Sequence, residues 1–381
     1  VTGPCTASVL TTDAEVEALL PAWWALVDGA ADANVYLTPA WAWAWWRAFG
    51  RGPRRAAARS RLHVVAVHRD GDLVALAPLL EVRAVPGPLG VRMLVGLGAE
   101  NADFGGVLVD RGAPEAMGVL VEHLGRELGR GRTVLNLTRL EDASPLLAAL
   151  RSGLGEDRHR FVEEEREDYP YLDLAALEDP ERDLRRLLKK NDVGRRGRRL
   201  AEVGEVGWVY HRPEHSGEDL EAFLRLHDLR WAGRAPTGPF TSAPGRAFLA
   251  EASAQLDRAG LLRISFVTLD GTPIVGRYGT VFGGAYQGMK SGWDPAYKAY
   301  GPGHLVVGRL LEQLLADGVA RFDFMRGAGD HKAAWTNASR DVAYLTVARR
   351  RSLSELDHRQ LWALLALRYR WRGTPRVGAG A

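Results

Sequence analysis

The sequence predicts an α/β (α+β) fold of two tandem units, each a mixed central β-sheet flanked by helices. Three observations carry this. The chain has 381 residues, more than one ordinary domain of about 100–200 residues. Two segments 200 residues apart, "LHVVAVHRDGDLVALAPL" (62–79) and "LRISFVTLDGTPIVGRYG" (262–279), each read as an apolar strand, an Asp-Gly turn and a second apolar strand. Later in each half an amphipathic helix runs into a short strand, "MGVLVEHLGRELGRGRTVLNL" (117–137) and "HLVVGRLLEQLLADGVARFDF" (304–324). Leu305, Leu310, Leu311, Leu314 and Leu315 mark one helix face, and Gly318 is the expected stop. The expected units are residues 8–175 and 176–350, with a C-terminal helix and tail over 351–381. That helix, read over 353–373, suits packing within the chain or across a dimer, which leaves the oligomeric state open.

Hydrophobic residues make up 46% and charged residues 25%, as in an ordinary globular protein. No apolar run reaches the roughly 18–20 residues of a membrane span, and no basic flank precedes an apolar core at the start, so the expectation is a cytoplasmic protein. The single Cys5 excludes an internal disulfide and a cysteine metal cluster. Of the basic residues 45 are arginine and five lysine, so the lysines carry more information: Lys189, Lys190, Lys290, Lys298 and Lys332. The run "ERDLRRLLKKNDVGRRGRR" (181–199) holds nine basic and three acidic residues, a local net of +6. It reads as a solvated helix face or as a platform for a cofactor phosphate or an RNA backbone.

None of the ten histidines has metal-ligand spacing such as His-Glu-x-x-His, so no metal is expected. His63 and His68 point to opposite faces of one strand and do not chelate together. A Gly-x-Ser-x-Gly elbow, a phosphate-binding loop and a dinucleotide fingerprint are all missing, which argues against hydrolases, kinases and dehydrogenases. One glycine loop does precede a helix: in "KAYGPGHLVVGRLL" (298–311), Gly301-Pro302-Gly303 opens the helix at His304. Such a loop aims backbone N–H groups at a pyrophosphate. The stretch "RFDFMRGAGDHKAAW" (321–335) is a strand with Phe322 and Phe324 on one face and Asp323 on the other. It ends in Arg326, two glycines, Asp330, Lys332 and Trp335.

These pieces resemble the FemAB/CelD-like branch of the GNAT acyltransferase superfamily. The matching segments are "FLRLHDLRWAGRAPTGPF" (223–240), the hairpin, loop and helix "IVGRYG…YQGMKSGWDPAYKAYGPGHLV", and "FDFMRGAGDHKAAW" (322–335). The first half adds "YLTPAWAWAWWRAF" (36–49) and the alanine-proline-leucine close of its hairpin (77–79). The resemblance spans roughly residues 10–350 and implies two fused GNAT-like units whose sheets meet at a common cleft. It implies an acyl-CoA pyrophosphate held by Tyr300, Gly301, Gly303 and His304, with Arg326 beside it. The loop departs from the family's Gln/Arg-x-x-Gly-x-Gly/Ala form, having no heading arginine, and its proline removes an N–H donor. In FemAB-like relatives the donor is an aminoacyl-tRNA, and the lysine of the final motif lies near the transferred carbonyl.

Lys332 is accordingly the candidate for stabilising a tetrahedral oxyanion or gripping a donor phosphate. Asp323 is a candidate for orienting the amine or Lys332, or else a buried ion-pair partner. His227 and His304 are the candidate bases, His304 held neutral by the positive helix end. Trp231, Phe240, Tyr286, Lys290 and Trp293 are the candidates to line an acceptor pocket, although aromatics at such spacings also fill cores. Three readings remain open: an N-acyltransferase using acyl-CoA and a small-molecule or cell-envelope amine, an aminoacyl-tRNA-dependent transferase with tRNA on 181–199, and an inactive double-GNAT scaffold.

Overall fold

The structure is a computed structural model that describes residues 3–50, 60–83, 91–130, 132–233, 240–327 and 329–352. The helix expected over 353–373 lies outside the described residues. The first half runs β1 (Thr6–Leu10), α1 (Asp13–Gly29), α2 (Pro39–Trp45), β2 (Ser60–Leu62), β3 (Val64–Arg69), β4 (Asp72–Ala77), β5 (Leu79–Arg83), β6 (Arg92–Gly96), β7 (Leu108–Val109), α3 (Ala116–Leu128), β8 (Thr133–Glu141), α4 (Pro145–Leu154) and β9 (His159–Asp173). The second runs α5 (Pro180–Lys190), α6 (Val193–Ala201), β10 (Val206–Val209), α7 (Ser216–Trp231), α8 (Ala243–Arg258), β11 (Leu262–Leu269), β12 (Thr272–Phe282), β13 (Ala285–Trp293), α9 (Pro302–Ala316), β14 (Arg321–Asp323), α10 (Asp330–Ala333) and β15 (Ala338–Arg349). No helix among the described residues is long and apolar enough to cross a membrane.

The 200-residue offset survives in space. Strand β1 pairs with β3 as β10 pairs with β11, antiparallel in both cases. Both hairpins turn on left-handed residues, Asp70 and Gly71 at φ of 53° and 93°, Asp270 and Gly271 at 48° and 76°, which suits a two-residue type I′ turn. Helix α9 ends where Gly318 adopts φ of 73° and the Val319 amide closes onto Leu314 O at 2.9 Å. The two hairpins differ at a bend. Where β12 is continuous, its counterpart breaks at Pro78 into β4 and β5, so the first half feeds two sheets.

One sheet has four strands in the order β1-β3-β4-β7; the other has eleven in the order β10-β11-β12-β13-β14-β9-β15-β8-β6-β5-β2. The halves exchange their final strands. β9 leaves its own β8 to pair with β14, and β15 lies between β9 and β8, so a continuous sheet replaces two sheets abutting at a cleft. Helix α2, every residue of which is buried, locks the halves from above. Its Trp41 ring meets Phe248 of α8 edge-on at 4.9 Å.

Candidate functional site

Strands β13 and β14 run parallel for only three register positions, Ala285↔Arg321, Tyr286↔Phe322 and Gln287↔Asp323. The chain then leaves the ladder, the Phe324 amide bonding instead to Pro170 O at 3.2 Å, while β13 continues beside β12 to Trp293. The sheet therefore splits between β13 and the end of β14. Three local features force the departure. Met325 takes a left-handed φ of 59° and Gly327 one of 92°. The Asp323 carboxylate accepts the Met325 N–H at 2.8 Å. Lys332 Nζ donates to Met325 O at 3.0 Å and Arg326 O at 2.6 Å, stapling the turn that borders the split. Burial, then the neighbouring Arg277 guanidinium, lowers the Lys332 ammonium to a pKa of about 8. It still carries its charge at neutral pH.

The lower end of the split meets the glycine loop. Gly301 is left-handed at φ of 62°, and a Cβ there would overlap the Arg196 guanidinium of α6. A Cβ at Gly303 would meet nothing within 4 Å, so its backbone is open to a ligand. The Arg199 guanidinium lies over the Tyr300 ring at 5.6 Å. His304 and Trp335 rings are 5.8 Å apart, and Asn191 Nδ2, between α5 and α6, donates to Ala334 O at 3.1 Å. The basic run 181–199, the glycine loop and the final motif thus converge on one place. Many charges of that run are spent locally: Arg185 pairs with Glu181 at 3.3 Å, Arg186 with Asp183 at 3.2 Å and Arg195 with Asp192 at 2.7 Å. Arg196 and Arg198 have no such carboxylate among the described residues.

The other candidates are placed differently. Asp323 is 1% exposed and ion-paired with Arg340 of β15, so its carboxylate is occupied by Arg340 and the Met325 amide and does not orient an amine. Burial raises its pKa, and Arg340 opposes the rise. Tyr286 does not line a pocket: it is fully buried in the core, its ring 4.9 Å from Phe322. Phe240 is likewise core, 3% exposed and 5.1 Å from the His227 ring. His227 is buried on the α7 side of the sheet with Phe223 and Trp231 also around it, and burial followed by the Lys290 charge lowers its pKa to about 4. Lys290 is exposed, Trp293 half-buried against α9, and Trp231 lies under Arg230 at 5.3 Å. Arg326 pairs with Glu167 of β9 at 3.0 Å, which ties it to the first half.

Sequence reading missed Arg277, Arg340 and Asp103. Asp103, on the loop after β6, accepts the Tyr36 hydroxyl at 3.2 Å and lies within electrostatic reach of Lys332. Arg277 was visible only as an arginine inside an apolar strand between Gly276 and Gly279. His63, His123 and Glu127 each bring one ligand-type atom within 4.8 Å of the others. Glu127 there already receives Arg92 at 2.6 Å and Arg130 at 2.7 Å, so two guanidiniums hold the place a cation would take.

Residues 188–333 match the family model described as an acetyltransferase (GNAT) domain. A crystal structure of FemX superposes with a TM-score of 0.57 at 11% identity, covering 89% of this chain and 96% of that one. A conserved protein of unknown function from Bacteroides thetaiotaomicron VPI-5482 gives 0.52 at 12% identity, with 90% of this chain and 100% of that one covered. A tandem GNAT protein from the clavulanic acid biosynthesis pathway covers 90% of this chain and 98% of its own, with 15% identity and a TM-score of 0.41. No curated protein matches the sequence.

Proposed function

We propose that this FemAB-like chain, whose residues 188–333 are a GNAT-type acetyltransferase domain, is an N-acyltransferase that moves an acyl group from a CoA thioester to an amine. The observation that carries the reading is the split between β13 and β14, which leads to the open Gly303 backbone with Arg196 and Arg199 beside it. The pyrophosphate would take the amides of the α9 start and these arginines, where the helix dipole and the guanidiniums both favour an anion. The thioester would lie in the split. A neutral amine nitrogen then bonds to the carbonyl carbon, the tetrahedral oxyanion collapses, the C–S bond breaks, and the nitrogen's proton leaves to the thiolate or solvent. Lys332 serves as a positioning residue here, holding the 325–326 turn at the edge of the split.

Thermal unfolding of the full chain, titrated with acetyl-CoA and longer acyl-CoAs, tests this. Ligand binding to the native state alone adds about 2.7 kcal/mol at 100 times Kd. A saturable rise in Tm is expected, and Gly303→Glu is expected to abolish it without lowering the ligand-free Tm, because the new side chain meets open space. No rise with any CoA overturns the reading.

A second reading has its own observation. Lys189, Lys190 and Arg198 extend the basic surface beyond the loop, more charge than one pyrophosphate needs. An aminoacyl-tRNA donor would use them, and binding would then weaken steeply with salt.

A further inference from the structure

Arg277 projects from β12 onto the α9 side of the sheet and lies at the split. Its guanidinium sits over the rings of Phe322 at 5.1 Å and Phe324 at 5.6 Å. Phe324 is the first residue past the point where β14 leaves the ladder. The side chain is 8% exposed, and among the described residues no carboxylate pairs with it and Nε has no hydrogen-bond partner. Its one oxygen contact from the backbone is long, Nη2 to Gly288 O at 3.5 Å.

A buried guanidinium without an anion is costly, because no opposite charge returns its desolvation; the two rings and the neighbouring Tyr286 hydroxyl offset part of it. The fold nonetheless makes room for it. A Cβ on Gly288 would overlap the guanidinium, so the absent side chain there is what admits Arg277. Lys332, also at the split, spends two of its three N–H donors on Met325 O and Arg326 O. Arg277 keeps its Nε donor unused, and a planar fork of donors fits a carboxylate in bidentate fashion.

We propose that Arg277 recognises a carboxylate on the substrate beside the reacting bond, so that the substrate is an acid as well as an acyl donor or amine. The proposal rests on the acyltransfer reading for its location, and on the unpaired guanidinium for its chemistry. Two sources supply such a group: the far end of a dicarboxylic acyl chain, or the α-carboxylate of an amino-acid acceptor.

The test compares binding of succinyl-CoA with butyryl-CoA, and of glycine with glycinamide, to the full chain and to Arg277→Met. Charge-assisted hydrogen bonds predict about 10- to 100-fold tighter binding of the acidic member of one pair. A preference in the first pair places the carboxylate on the acyl chain, and in the second on the acceptor. Arg277→Met is expected to erase that preference, the acidic member of the pair falling to the affinity of its neutral partner. It is also expected to raise the ligand-free Tm, since an apolar side chain of similar length replaces an unpaired buried charge. Equal binding within both pairs overturns the proposal, and so does a fall in the ligand-free Tm, which would make Arg277 a structural cation over its two rings. Failure of every CoA to bind, with glycine still preferred over glycinamide and the preference lost in Arg277→Met, removes the CoA reading but not this one.

Discussion

Replacing Arg340 by methionine is expected to destabilise the fold by about 3–5 kcal/mol, the usual cost of stranding one member of a buried ion pair. Arg340 belongs to β15, the strand exchanged between halves, and it pairs with Asp323 at the end of β14. It also reaches Glu141 of β8 at 3.5 Å and stacks over Phe104 at 4.3 Å, so one side chain joins both halves. Asp323 is 1% exposed, which leaves its carboxylate no route to water once the guanidinium is gone. Urea unfolding at pH 7 measures the loss. The double variant Arg340→Met, Asp323→Asn is expected to be less damaged than the sum of the singles, because neither partner is then left charged and alone. Strict additivity would mean that the two groups do not stabilise each other.

That pairing shows where sequence reading stops. The hairpin turns at 70–71 and 270–271 were legible because Asp-Gly is a local signal, with the left-handed φ values following from residue type. The strand exchange was not legible, since pairing between β8 and β15 joins residues some 200 positions apart and leaves no mark on either segment. A period of two placed Asp323 opposite the two phenylalanines, but did not say that β9 and Arg340 would bury that face too. Tyr286 failed for the same reason: alternation tells which side a ring takes, not whether that side is covered.

The site was half legible. The glycine loop and the basic run each stood out, and the structure joins them through Arg196 at Gly301, while Asn191 ties the run to Ala334 of the final motif, contacts set by the break between α5 and α6 at Asp192, φ 56°. Arg277 carried almost no signal in a chain with 45 arginines. It becomes distinctive only through burial, the absent side chain at Gly288 and the lack of a carboxylate partner among the described residues.

Between pH 7 and pH 5 the protein is expected to lose about 4 kcal/mol of stability, most of it through two buried histidines. His63 and His227 are each 5% exposed, and burial is the first cause lowering each pKa to about 4, against an ordinary value of 6.5. The neighbouring Arg92 adds to the effect at His63 and Lys290 at His227, while Glu127 and Glu81 oppose it at the first site. The sign follows from proton counting. Below pH 6.5 the unfolded chain binds a proton at each imidazole and the native state does not until about pH 4. The stabilisation is therefore complete above pH 6.5 and lost as pH falls through that window, at about 1.4 kcal/mol per unit for each histidine. Urea midpoints at the two pH values check this, with His227→Phe as the control. Phenylalanine suits a nest made by Phe223, Trp231 and Phe240 and sacrifices no hydrogen bond at Nδ1. The variant should lose only about 2 kcal/mol over the same interval. An unchanged loss would show that His227 accepts its proton in the native state as readily as in the unfolded one.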